Sequence, residues 1–282
     1  SKLAQSIDTL IDKNLPNAFV GVIVKDINNN VYYQQNANKH FIPASSAKLF
    51  TSTAAILNLG KNFKYITEFR LYKTLITGKV LNGNLYIKFT GDPSYARKNL
   101  HQNLMNLKKY GIDKIRGNIV LDNTNYSGLY YAPGISYDDL GCSYAAPVSS
   151  IMLDSNLLHV NIKGADEVGS SAKILPNRQT AYFKIDNKVL TVEKKREGDS
   201  SSNISIYNDN DDNIKLTGSI SNNYREEKTV AIVKPIKYVR AVIKRELRQC
   251  NIKFNKKIII GTTPSNTAPV VSHASLADYA AI

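Results

Sequence analysis

Two stretches of this 282-residue chain place a serine three residues before a lysine: Ser45-Ser46-Ala47-Lys48 and Ser170-Ser171-Ala172-Lys173. A hydroxyl beside an amine can support acyl transfer, because a lysine held neutral takes the hydroxyl proton and frees the oxygen to attack a carbonyl. With 23 serines and 28 lysines in the chain, about two such matches arise by chance. Spacing alone therefore decides nothing, and local structure has to. In a helix, residues three apart share a face with about 5–6 Å between their Cβ atoms, whereas in a strand they point to opposite faces.

Only the first copy is predicted on a helix. After Phe41-Ile42-Pro43-Ala44 the pattern over 45–59 is helical, with Leu49, Ala55, Ile56 and Leu59 on one side and Gly60 as the stop. That apolar stripe is expected to bury the helix in a core. Ser45 then lies at the helix N-terminus, where the dipole and its own N–H favour a developing oxyanion. The same place suits a plain helix cap, with Lys48 an exposed first-turn lysine, and the spacing leaves both readings open. The second copy lies between 164–169 and Ile174-Leu175-Pro176, in an expected loop between strands. There Ser170 and Lys173 are expected to diverge as solvated loop residues.

The elements that must position these residues follow from the rest of the pattern. An amphipathic helix is predicted over 2–13, a near-continuous apolar strand over 18–25, an Asn-rich turn, and a returning strand over 31–35. Beyond the serine helix the chain turns to β. Strands over 65–76 and 79–89 pair around Thr77-Gly78, a helix covers 98–110, and a strand covers 114–122. A Tyr/Gly/Pro-rich stretch at 125–147 and a series of short strands over 150–233 follow, most open at 200–202 and 208–213. Pro235 introduces a helix over 236–250 with Val239, Val242, Ile243 and Leu247 inward, then a short strand at 257–260 and a linker. The last residues look like the first turns of another helix.

Composition bounds the partners. Hydrophobic residues make up 43% and charged residues 21%, as in globular proteins, and no apolar run approaches the roughly 18 residues of a membrane span. The start, Ser1-Lys2-Leu3-Ala4-Gln5, reads as a mature or engineered N-terminus with any targeting segment already removed. A net charge of +14 asks for an anionic neighbour: nucleic acid, a membrane surface or an acidic polymer such as cell wall. Nucleic acid is disfavoured, since the lysines are spread out, with short clusters only at Lys194-Lys195-Arg196 and Lys256-Lys257. Cys142 and Cys250 form either one long-range disulfide or two buried thiols. The scattered His40, His101, His159 and His273 give no metal-ligand spacing, His159 being a strand histidine of the surface, and no metal or cofactor is expected.

Taken together, the opening elements and 41–49 resemble the serine penicillin-binding protein and β-lactamase superfamily. Gly83-Asn84-Leu85-Tyr86-Ile87 with Thr90-Gly91-Asp92-Pro93-Ser94 resembles one branch, the D-alanyl-D-alanine carboxypeptidase/endopeptidase family of low-molecular-mass class C (type four) penicillin-binding proteins. So do the run 117–122 with Tyr126, Ala132-Pro133-Gly134, Asp138-Asp139 and 143–147, the stretch 216–220, and the helix after Pro235. The resemblance spans essentially the whole chain with motifs in order.

It implies an α/β (α+β) fold: a transpeptidase-like domain (1–64 plus 236–282, its C-terminal part missing) interrupted by a large mostly-β insertion. The insertion is expected as two subdomains, 65–97 plus 178–235 and 98–177. It implies a periplasmic serine D,D-peptidase in which Ser45 attacks the penultimate D-alanine carbonyl of a peptidoglycan peptide and Lys48 acts as base. β-Lactams would be trapped as esters on Ser45, and peripheral membrane or wall association is compatible with it. Asp122 matches an inserted-domain carboxylate that faces the substrate's side-chain amine; its plainer reading is a cap on the turn after a strand. Family members carry a Ser-x-Asn and a Lys-Thr-Gly beyond the point where these residues end, and Lys215-Leu216-Thr217-Gly218 has one residue too many. Losing one oxyanion donor costs about 10²–10³ in rate, so this chain alone is expected to be close to inactive. The competing readings are a non-catalytic peptidoglycan-binding or scaffolding protein of the same fold, and a serine β-lactamase, against which the long insertion argues.

Overall fold

The computed structural model describes residues 1–175, 177, 180–193, 201–209 and 213–278. The basic cluster at 194–196, the turn positions 200 and 210–212 and the helical turns expected at the chain's end lie outside the described residues. The chain divides into two compact units, Ser1–Lys61, which Asp278 joins, and Asn62–Ala277.

In the first unit, α1 (Lys2–Asn14) starts where the Ser1 hydroxyl accepts the Ala4 N–H at 3.2 Å. β1 (Val22–Lys25) and β2 (Val31–Gln35) form an antiparallel hairpin. Its turn is set by Asp26, whose Oδ1 accepts the N–H groups of Asn28 and Asn30, each at 2.9 Å. The strand expected over 18–25 is thus halved. At Gly21, just before it, a Cβ would lie 2.5 Å from the Phe41 ring, so only glycine admits that approach. A 3₁₀ turn, Ala44–Ser46, leads into α2 (Ala47–Leu59), which ends at Gly60 with φ 79°.

The expected burial of α2 is corrected by the structure. None of its residues is buried, and Leu49 and Phe50 are 72% and 77% exposed. Two helices and a two-stranded hairpin supply no second layer able to enclose a helix. Tyr33 alone is buried within 1–61, with its hydroxyl donating to Asp8 Oδ1 at 2.6 Å.

The second unit holds the core. Its order is β3 (Lys64–Leu71), β4 (Ile76–Thr77), β5 (Val80–Leu81), β6 (Leu85–Lys88), α3 (Arg97–Lys109), β7 (Lys114–Ile115) and β8 (Ile119–Asp122). There follow β9 (Leu157–Lys163), β10 (Lys173–Leu175), β11 (Lys184–Val192), β12 (Ser202–Asn208), β13 (Asn213–Ser221) and β14 (Arg225–Ala231). α4 (Pro235–Gln249), β15 (Lys253–Phe254), β16 (Ile258–Ile260) and β17 (Ala268–Leu276) complete it. The main sheet runs β16-β8-β6-β3-β17, and a smaller one β15-β7-β5-β4. Two three-stranded sheets, β10-β9-β14 and β11-β13-β12, lie outside them in the strand order.

Alternation explains why these segments are strands. β9 reads Leu-Leu-His-Val-Asn-Ile-Lys with Leu158, Val160 and Ile162 fully buried and the residues between them half-buried. β8 is buried at all four positions because β6 and β16 flank it in parallel register. α3 and α4 face each other, and Arg97, Leu100, Leu104 and Leu107 of the first are buried with Tyr238, Val239, Val242, Ile243, Glu246 and Leu247 of the second.

The expected domain borders do not follow these pairings. β16 pairs with β8, β17 pairs with β3, and α4 packs on α3, so residues 236–277 belong with 62–235 rather than with the first 64. The two expected subdomains are likewise crossed by hydrogen-bonded pairs, β8 with β6 and β9 with β14. The strand expected over 114–122 is two strands in separate sheets.

Candidate active site

The chain reaches Ser45 through a constrained turn. Pro43 holds φ at −71°, and Ala44 takes φ 45°, a left-handed conformation that costs a non-glycine residue about 1–2 kcal/mol. The Ser46 N–H donates to Pro43 O at 2.9 Å, and the Ala47 N–H donates to Ala44 O and Ser45 O. Ser45 thus sits inside the first helical turn, ahead of the N–H groups that have partners along the helix. Lys48 follows one turn later on α2. Both side chains are solvent-exposed, and no side-chain cap bond from Ser46 competes with them. Ser45 and Lys48 therefore stand one helical turn apart at an exposed helix start, the spacing that an acyl-transfer pair requires.

The second copy of the motif comes apart as expected. The Ser170 hydroxyl donates to Glu167 Oε2 at 3.3 Å, while the Lys173 ammonium reaches Asp166 Oδ2 at 3.4 Å. Lys173 is the first residue of β10 rather than a loop residue, and this edge strand keeps it exposed.

Asp122 ends β8 in the second unit and is 1% exposed. Its Oδ1 accepts the Thr124 N–H at 2.9 Å and the Thr124 hydroxyl at 2.7 Å, and its Oδ2 accepts the Thr263 N–H at 2.7 Å. Burial pushes its pKa up, but the bonds from Thr263 and Thr124 to the charged form outweigh this and hold the carboxyl below its usual value. Those contacts are a turn cap, the plainer of its two readings.

Sequence reasoning missed two features. Thr263 is 141 residues from Asp122, so no local pattern announces it. Glu246 is fully buried and binds the Arg97 Nε, with His101 Nδ1 at 2.8 Å from its other oxygen. Its signal was present: a glutamate between Ile243 and Leu247 on the apolar stripe of α4. Cys142 and Cys250 are both free thiols, and burial, then Glu246, pushes the Cys250 thiol up. His159 meets Glu227 at 2.8 Å. Among the described residues, no helix is long and apolar enough to cross a membrane, and no group of three or more His, Cys, Asp and Glu side chains could hold a metal ion.

A family profile described as "D-Ala-D-Ala carboxypeptidase 3 (S13) family" matches residues 3–277. The chain is 28% identical over 278 residues to a D-alanyl-D-alanine carboxypeptidase DacB of Haemophilus influenzae, covering 96% of this chain and 56% of that protein. It is 26% identical over 200 residues to a D-alanyl-D-alanine carboxypeptidase of an Actinomadura species, covering 68% and 37%. The crystal structure of penicillin binding protein 4 (dacB) from Haemophilus influenzae superposes with a TM-score of 0.76 at 27% identity, over 95% of this chain and 59% of that one. The same protein complexed with a novel β-lactam gives a TM-score of 0.72 at 26% identity, over 96% and 57%. The chain spans somewhat over half the length of the first of these relatives. The expected α+β, penicillin-binding-protein-like fold class is borne out by these superpositions.

Proposed function

Because the chain belongs to the D-Ala-D-Ala carboxypeptidase 3 (S13) family, we propose that it carries the acylation site of a serine D,D-peptidase, with Ser45 as nucleophile and Lys48 as its base. The observation that supports this most is the Pro43-Ala44-Ser45 turn, which sets the serine one turn ahead of the lysine at the start of α2. The Ser45 Oγ attacks the carbonyl of the penultimate D-alanine as its proton passes to the Lys48 amine. Collapse of the tetrahedral adduct breaks the C–N bond, and the leaving D-alanine amine takes the proton back from Lys48. Water then cleaves the ester and restores Ser45. The substrate class is a peptidoglycan stem peptide, and action on a cross-link would make the same site an endopeptidase. A β-lactam enters by the same attack, its ring amide opening onto Ser45. Such a substrate lies outside the cytoplasmic membrane, and the periplasm is the compartment proposed for the enzyme. For Asp122, the engaged oxygens favour a structural role over contact with a substrate amine.

The test is D-alanine release from a Lys-D-Ala-D-Ala peptide by protein expressed from its complete reading frame. Ser45→Ala is expected to lower the rate by more than about 10³-fold, with Lys48→Gln comparably reduced and Ser170→Ala unchanged. Loss of activity in Ser170→Ala, or its retention in Ser45→Ala, overturns the assignment. A correctly folded wild-type protein with no release supports the non-catalytic peptidoglycan-binding reading.

A further inference from the structure

Two cavities meet beside the edge strand β15 and the last turns of α4. One, of about 520 Å³, is lined by Lys114, Arg248 and Lys253, and the other, of about 220 Å³, by Lys244, Arg248 and Lys256. They share Arg248, Ile252, Phe254 and Asn255 and so form one groove. Among the described residues no acidic side chain lines it, and none of its five cations is held in an ion pair. Unpaired like charges along one concave surface focus a positive potential that an anionic ligand relieves.

The rest of the lining narrows the ligand. Phe254 is the partly exposed apolar side chain of the groove, with Ile115 and Ile252 buried behind it, and Asn251 and Asn255 add amides that both donate and accept. Sheet extension by an acidic peptide is disfavoured, because β15 is only two residues long. A nucleic acid strand wants successive aromatic platforms, and the groove has one ring. We propose that the groove binds an anionic glycan strand. One sugar face lies on the Phe254 ring, its hydroxyls bond the two asparagines, and its acidic groups meet the five cations. The groove lies wholly within the second unit, so the proposal stands or falls separately from the role of Ser45.

The experiment titrates the full chain with heparin, an anionic glycan, against neutral dextran, poly-glutamate and a single-stranded DNA oligonucleotide of matched charge, at about 0.15 M salt. Heparin is expected to bind most tightly, and raising the salt is expected to weaken it. The double variant Arg248→Gln/Lys253→Gln is expected to lose about tenfold or more in affinity, whereas Lys173→Gln/Lys188→Gln, with the same charge change at exposed sites outside the groove, loses less than about twofold. Circular dichroism of each variant establishes that the fold is kept. Equal losses in both pairs would mean that net charge and not the groove attracts the ligand. Equal or tighter binding of poly-glutamate or DNA, or no heparin binding, also overturns the proposal.

Discussion

At the scale of single residues, Ser45 and Asp122 show opposite balances of legibility. The placement of Ser45 was readable because its signals are local: a proline, a helix start and a lysine one turn on all lie within six residues, although that spacing left cap and nucleophile both open. Asp122 could be read as a substrate-facing carboxylate or as a turn cap, and its partner Thr263, which arrives from a distant segment, could not be read at all. With its carboxyl held below the ordinary value, the charged form of Asp122 stabilises the fold. That contribution is fully present above the unfolded-state pKa near 3.8 and is lost as pH falls through the depressed folded-state value. Asp122→Asn puts an amide NH₂ against donors already aimed at the carboxylate and should cost about 1–3 kcal/mol at neutral pH. Urea denaturation of both proteins from pH 7 downward should show the gap narrowing below about pH 4. A gap that is constant with pH would deny the carboxylate this role.

At the scale of elements, the helices were legible almost to the residue, because Pro235 and the apolar periods of α3 and α4 are local signals. β17 was not, because Ala-Pro-Val-Val-Ser-His-Ala-Ser-Leu has weak alternation and a proline, and its partner β3 lies some 200 residues earlier. Long-range pairing therefore moved 236–277 out of the first unit, against expectation. Between α3 and α4 the buried Arg97–Glu246 pair fixes which faces meet. Removing one partner leaves the other charge buried, so Glu246→Ala should destabilise by about 3–5 kcal/mol, whereas the double change Arg97→Met/Glu246→Met should recover most of that loss. Chemical denaturation of the two variants checks it; an additive double mutant would show that the pair does not act as a unit.

At the scale of the whole molecule, the core sits unevenly. Residues 62–277 contain the hydrophobic cluster, and within 1–61 only Tyr33 is buried. A fragment of residues 62–277 should consequently unfold in one cooperative transition, and one of residues 1–61 should show none, by circular dichroism in urea. Composition announced the net charge of +14 but not that Lys114 would meet Lys244, Arg248, Lys253 and Lys256 beside one groove, to which the parallel pairing of β7 with β15 brings it. The proposed chemistry of the molecule rests on an acyl-enzyme at Ser45. The most direct measurement is the intact mass of protein expressed from its complete reading frame, before and after benzylpenicillin, followed by a digest that locates the modified residue. One drug per chain is expected, mapped to Ser45, absent in Ser45→Ala and kept in Ser170→Ala. An adduct on another residue, or none on correctly folded protein, would contradict it.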